Sequence, residues 1–162
     1  MMVTTTITPV SFAVPDDWLP IGANVSEEEA RANAARASLD MPDQIESLMK
    51  QRINSDIIYA TSNPDHFGDN IQVFKEAFPP DEVNPERLLA DQIRQGATIT
   101  STRKEQSALG EVTIVEVDTS GAPMTLFVVP ANERESLLFL SLSLDKDRLS
   151  KNVRTIVSTL TK

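Results

Sequence analysis

Residues 97–144 read ATITSTRKEQSALGEVTIVEVDTSGAPMTLFVVPANERESLLFLSLSL, and the architecture shows most plainly there. From Ala97 onward the pattern has a period of two and is rich in Thr, Val and Ile, as extended strands are. Residues 98–105 are polar and Thr-rich, 111–118 are Val/Ile-rich, and 125–129 are apolar throughout. Residues 136–144 place Leu138, Leu140, Leu142 and Leu144 on one face. Turns are marked by Ala108-Leu109-Gly110, Ser120-Gly121-Ala122-Pro123 and Ala131-Asn132-Glu133-Arg134. Four consecutive strands with such short turns predict an antiparallel meander. Because 125–129 is apolar on both sides, at least the central strands should be covered on both faces. Residues 98–105, which carry Arg103 and Lys104 among Ser and Thr, have the composition of a protected edge; a partner strand adding there is the alternative.

Working outward, residues 146–160 predict a helix started by Asp145 or Asp147, whose Leu149, Val153, Ile156, Val157 and Leu160 form a stripe that must lie on the sheet. Upstream, Asn84-Pro85 starts a helix with Leu88, Leu89 and Ile93 as its stripe and Gly96 as its stop. Residues 56–61 and 70–78 read as a strand pair around the loop 62–70, with Ile71, Val73 and Ala77 opposite Phe74 and Phe78. Ser26 and Glu29 make a capping box for an Ala-rich helix over about 26–38. Pro42, Ile45, Leu48, Met49 and Ile53 mark a second helix, and the two bend into one another around 40–42. Residues 10–14 read as a short strand, and 16–20 as a loop. Strands in blocks, not alternating one for one with helices, predict an α+β fold in which helices cover an antiparallel sheet. The expected organisation is a single domain over 1–162 with a helical segment at about 26–54.

Composition narrows the chemistry. The 162 residues are 40% apolar but only 5% aromatic, which points to one aliphatic core. The absence of Cys removes disulfides, thiolate metal sites and Cys nucleophiles, and a single His, His66, excludes a multi-His metal site within one chain. The net charge of -9 argues against a nucleic-acid duplex or an anionic membrane as the main partner. All of that excess lies in residues 1–100, which hold seven Lys/Arg and sixteen Asp/Glu, whereas 101–162 hold eight of each. The acidic half either is a solvated surface with carboxylates at helix starts or steers a basic partner. Apolar stretches fall far short of the roughly 20 residues of a spanning helix, so no membrane insertion is expected. The opening MMVTTTITPV lacks both a basic and a long apolar region. A cytoplasmic protein is the first reading, and an exported one without its leader is the second.

A family resemblance rests on Phe12-Ala13-Val14-Pro15-Asp16-Asp17-Trp18, on Asn70-Ile71-Gln72-Val73-Phe74 before the helix at 85–95, and on the close Ile156-Val157-Ser158-Thr159-Leu160. The chain resembles the PsbP-like fold, an α/β/α sandwich, and among bacterial branches it is similar to DcrB-like secretion chaperones and LpqN-like lipoproteins. The resemblance implies a central antiparallel sheet of about six or seven strands flanked by helices. It also implies a binding or scaffold role rather than catalysis. No lipobox Cys is present, so lipid anchoring does not carry over.

Catalytic signals are sparse. His66 in Pro64-Asp65-His66-Phe67-Gly68-Asp69 could titrate near neutrality if Asp65 and Asp69 oriented it, but no nucleophile motif accompanies it. The same loop lacks the spacing of a calcium loop, and neither a phosphate cradle nor a nucleophile elbow occurs. Trp18 is either a partly exposed anchor at a binding surface or a plug at one end of the core. The Ala-rich helix either packs on its own domain or meets a partner helix. The expected function is therefore a non-enzymatic protein-binding or adaptor domain, with secretion-related chaperoning as its concrete version. An exported small-molecule or lipid-binding protein is the alternative. No cofactor and no metal are expected, a protein partner is, and a homodimer stays open. Asp16, Asp17, Trp18, Glu27, Glu28, Glu29, His66 and Phe67 are the candidate contact residues.

Overall fold

The structure, a computed structural model, describes residues 2–7 and 9–162. In chain order the strands are β1 (Met2–Ile7), β2 (Val10–Pro15), β3 (Trp18–Pro20), β4 (Ile57–Thr61), β5 (Asn70–Glu76), β6 (Thr98–Ser107), β7 (Gly110–Asp118), β8 (Pro123–Pro130) and β9 (Ser136–Leu142). The helices are α1 (Glu27–Ala37), α2 (Pro42–Asn54), α3 (Pro85–Leu88), α4 (Ala90–Arg94) and α5 (Lys146–Ser158). Seven strands form one antiparallel sheet in the order β3-β4-β5-β9-β8-β7-β6. This is the expected α+β fold, and helices lie on both faces of the sheet.

One face is the deep core. Alternate residues of the strands, Ile71 and Val73 of β5, Leu137 and Phe139 of β9, and Phe127 and Val129 of β8, meet α5 and the β1–β2 hairpin. Phe139 sits at its centre, stacked on Phe127 at 4.6 Å and edge-on to Phe12 at 5.0 Å. Each such ring pair contributes about 0.5–1.5 kcal/mol beyond the area it buries. Asp145 caps α5 by accepting from the Arg148 N–H, and Leu149, Val153, Ile156 and Val157 are buried as the stripe requires. The opposite face has two separate covers. Ala30, Ala34 and Ala37 of α1, with Met49 of α2, pack over Ile58 and Ala60 of β4. Leu88, Leu89, Phe78 and Val83 pack over Val115, Val117, Leu126 and Val128.

The expected elements form, with informative departures. The meander of β6 to β9 is present, β8 is buried on both faces, and β6 is an edge of the sheet. Residues 18–20, expected as a loop, are instead an edge strand, with Leu19 opposite Ala60. Pro20 is tolerated there because an edge position leaves its missing N–H without consequence. Trp18 is only 4% exposed, which corrects the reading as a partly exposed anchor: its ring joins the deep core. β1 was not expected at all; its Val and Thr residues pair with β2 from Met2↔Pro15 to Ile7↔Val10, and Met1 and Thr8 of that opening stretch lie outside the described residues. The helix expected from Pro85 to Gly96 is broken at Leu89, whose backbone leaves helical geometry and whose side chain is buried. Ile53 does not join the α2 stripe; α2 outruns the core in its last turn, leaving Ile53 84% exposed.

Candidate functional site

Between the two covers on the second face runs a strip of sheet that they close only in part, its Leu138, Leu140 and Leu142 packing against the cluster around Leu89 and Leu126. Strand alternation puts Asn70, Gln72 and Phe74 of β5 on this face, and the register sets them opposite Leu142, Leu140 and Leu138 of β9. All six are half-buried, whereas their neighbours Ile71, Val73, Leu137 and Phe139, facing the other way, are buried. The strip spans about 13 Å from Leu138 to Leu142. Gln72 defines its α2 bank: its side-chain amide donates to Gln51 Oε1 at 2.9 Å, and its Oε1 accepts from Ser55 Oγ at 3.3 Å. The α3 bank begins at Phe78, whose carbonyl accepts from Ser136 Oγ at 2.9 Å.

Each end of this furrow opens into a cavity. At the Leu138 end a hollow of about 430 Å³ is lined by Glu76, Glu82, Arg87, Phe78 and Leu88. At the Asn70 end a smaller one of about 130 Å³ lies beneath the junction of α1 and α2. The floor thus has four apolar side chains and two amides, one mouth carries Glu76 and Glu82 with Arg87, and the other is mostly uncharged polar groups beside an Asp69 already paired with Arg148. That combination suits a chain segment with apolar side chains and a positive charge.

The candidate contact residues do not form one site. Asp17 is tied to the loop that holds His66 and Phe67 at its first residue, its carbonyl accepting both the Ser62 N–H and its Oγ, each at 2.7 Å. Phe67 lines the smaller cavity, and Asp16 is exposed in the turn before β3. Glu27, Glu28 and Glu29 are exposed in the first turn of α1, about 16 Å along that helix from the Ser38 that closes it. The acid run therefore belongs to a different end of the molecule.

His66 ends a 3-10 turn, Pro64–His66, capped by Asn63. Asp69, which would have had to orient it, is committed elsewhere: Arg148 Nε and Nη2 donate to its two oxygens at 2.7 and 3.0 Å, and Asn152 Nδ2 adds a third bond at 3.1 Å. The Asp69 hydrogen bond holds the Arg148 guanidinium still more firmly in its charged form. Among the described residues, no group of three or more His, Asp or Glu side chains converges to hold a metal ion, and no helix is long and apolar enough to cross a membrane.

The furrow residues themselves escaped sequence reasoning. Alternation puts Leu138, Leu140 and Leu142 on one face, but Leu137 and Phe139 on the other are equally apolar, so the pattern does not say which face is covered. No family model matches the chain, and no curated protein matches it either.

Proposed function

We propose that the protein is a non-enzymatic protein-binding or adaptor domain of PsbP-like type, holding an apolar, positively charged segment of a partner along the β5–β9 furrow. The observation that carries this reading is the half-buried row Phe74, Leu138, Leu140 and Leu142 between two helical covers. Charge supports it: Glu76 and Glu82 outnumber Arg87 at one mouth, and residues 1–100 carry the whole net charge of -9. Secretion-related chaperoning is the concrete form of this role, since an apolar segment kept in a furrow is kept from aggregating. The alternative, an exported lipid-binding protein, calls for a deep apolar pocket. The cavities at the furrow's ends mix polar and apolar walls, which favours a protein partner.

Peptide display against the purified domain tests the proposal. Enriched peptides should combine Leu, Ile, Val or Phe with Lys or Arg, and Leu140→Glu should weaken their binding by tenfold or more, equivalent to about 1.4 kcal/mol. Enrichment no greater than on an equally acidic control protein, or binding indifferent to both Leu140→Glu and Phe74→Glu in folded variants, overturns it.

A further inference from the structure

The two edges of the large sheet differ. β3 has three residues and ends in Pro20, so that edge is blunted. β6 runs ten residues, Thr98–Ser107, and among the described residues only β7 pairs with it. Its pairing with β7 is regular from Ser101 to Ser107, and the irregularity falls before Ser101. The two-residue turn Ala108-Leu109 makes Ser107 and Gly110 a pair that exchanges both backbone bonds. By alternation Ser101, Arg103 and Glu105 also bond to β7, while Thr102, Lys104 and Gln106 turn their N–H and C=O groups outward.

The charges on this stretch select one register. Arg103 and Glu105 share the deep-core face, opposite Ile114 and Val112, where Arg103 lies 3.0 Å from Glu105 and 3.4 Å from Glu116. Lys104, on the other face, lies 3.4 Å from Glu111. A second copy of β6 adding antiparallel to this edge does so about a two-fold axis. An axis at Arg103 sets that side chain against itself, and an axis at Glu105 does the same for the carboxylate. An axis at Lys104, the midpoint of 101–107, pairs the whole regular stretch. It sets Arg103 of each copy opposite Glu105 of the other, as non-hydrogen-bonded pairs with Cα atoms about 4.5 Å apart. Its cost is one Lys104–Lys104 pair, each lysine already beside a Glu111. The outward groups of Thr102, Lys104 and Gln106 then supply about six backbone bonds. Net charge is no obstacle at this edge. Residues 101–162 hold eight charges of each sign, and β4, which carries α1 with Glu27, Glu28 and Glu29, lies about 24 Å across the sheet, beyond the screening length of about 10 Å.

We propose that two copies of the chain join through β6 about a two-fold axis at Lys104, making one continuous sheet from two. The contact leaves the β5–β9 furrow open and does not rest on the partner reading of it.

Sedimentation equilibrium of the full chain, up to millimolar concentration, is the test. The mass should climb from monomer to dimer, and amide exchange at Lys104 should slow as it does. Arg103→Glu sets acid against acid in both cross-strand pairs, Glu105→Arg sets base against base, and each variant alone should associate at least tenfold more weakly. An equimolar mixture of the two should associate within about threefold of wild type, because both pairs are then opposite in charge. Thr102→Pro removes an N–H that β7 does not use, so a folded Thr102→Pro variant should be monomeric. Leu140→Glu should leave the dimer in place. A monomer at every concentration, a mixture that associates no better than either variant alone, or association indifferent to residues 103 and 105 overturns the proposal; in the last case the contact lies on another surface.

Discussion

Arg148, in the first turn of α5, grips Asp69 at the start of β5 with two parallel N–H···O bonds of 2.7 and 3.0 Å. The carboxylate is 1% exposed and the guanidinium 20%, so the pair is largely out of water. Arg148→Met leaves a buried charge alone and should cost about 3–5 kcal/mol, as broken buried pairs do. Asp69→Asn should cost less, because the remaining charge is on the more accessible partner. The double variant Asp69→Leu with Arg148→Met should recover part of the loss in urea denaturation; an additive result would deny the coupling.

Asp145 gives α5 an acid sensitivity. Its carboxyl is held below the ordinary range chiefly by the Arg148 backbone N–H, which outweighs the opposing effect of burial, with the Asp147 backbone N–H and the Arg148 charge adding to it. A depressed folded pKa contributes stability that is complete above the unfolded value and lost as pH falls through the folded one. Wild type should therefore exceed Asp145→Asn in denaturation midpoint at neutral pH, and the gap should close as pH drops below the usual carboxylate range. A gap independent of pH would contradict this.

Gly22 lies where α1's lead-in crosses β4. A Cβ added there would meet Ile58 N at 2.6 Å and Ile57 Cα at 2.9 Å, both backbone atoms that cannot swing aside. Gly22→Ala should cost about 1–3 kcal/mol through forced displacement of the strand. Gly121→Ala, with nothing within 4 Å, should stay within about 0.5 kcal/mol of wild type. Thermal melts of the two variants suffice.

The last turn of α2 separates pattern from packing. Met49 is 9% exposed and belongs to the cover over Ile58 and Ala60. Met49→Ala should cost about 2–3 kcal/mol, toward the lower end of such truncations. Ile53→Ser, one turn later in the same helix but outside the core, should change stability by less than about 0.5 kcal/mol.

Glu27, Glu28 and Glu29 stand away from the furrow, so their influence on a basic partner acts at a distance. Replacing all three with Gln should slow association of a basic peptide at low salt and have little effect at high salt, where charges beyond about 10 Å are screened. An unchanged association rate at low salt rejects steering by this run.

What the residues disclose alone follows from how strongly each pattern is forced. The meander and α5 are legible because Val, Ile and Leu recur at a fixed period and Asp145 marks the helix start. β1 and β3 are not, since MVTTTI and WLP carry strand propensity without a partner that sequence alone can name. Leu89 breaks its helix because burying that side chain against Val115 and Leu126 outweighs continuous helix geometry. The furrow is invisible for a related reason: coverage belongs to the placement of α2 and α3, and Leu140 reads the same covered or bare.

The register of β9 also sets an order of events. This strand is hydrogen-bonded to β5 on one side and to β8 on the other, and it joins the β3–β5 half of the sheet to the β6–β8 half. Until β9 is in place, each half of the sheet presents an open strand edge, β5 on one and β8 on the other. A chain lacking β9 thus has an acidic first half and two unpaired edges. A stop at residue 130 should turn a soluble yield into aggregate, although it removes only one strand and one helix from the finished fold.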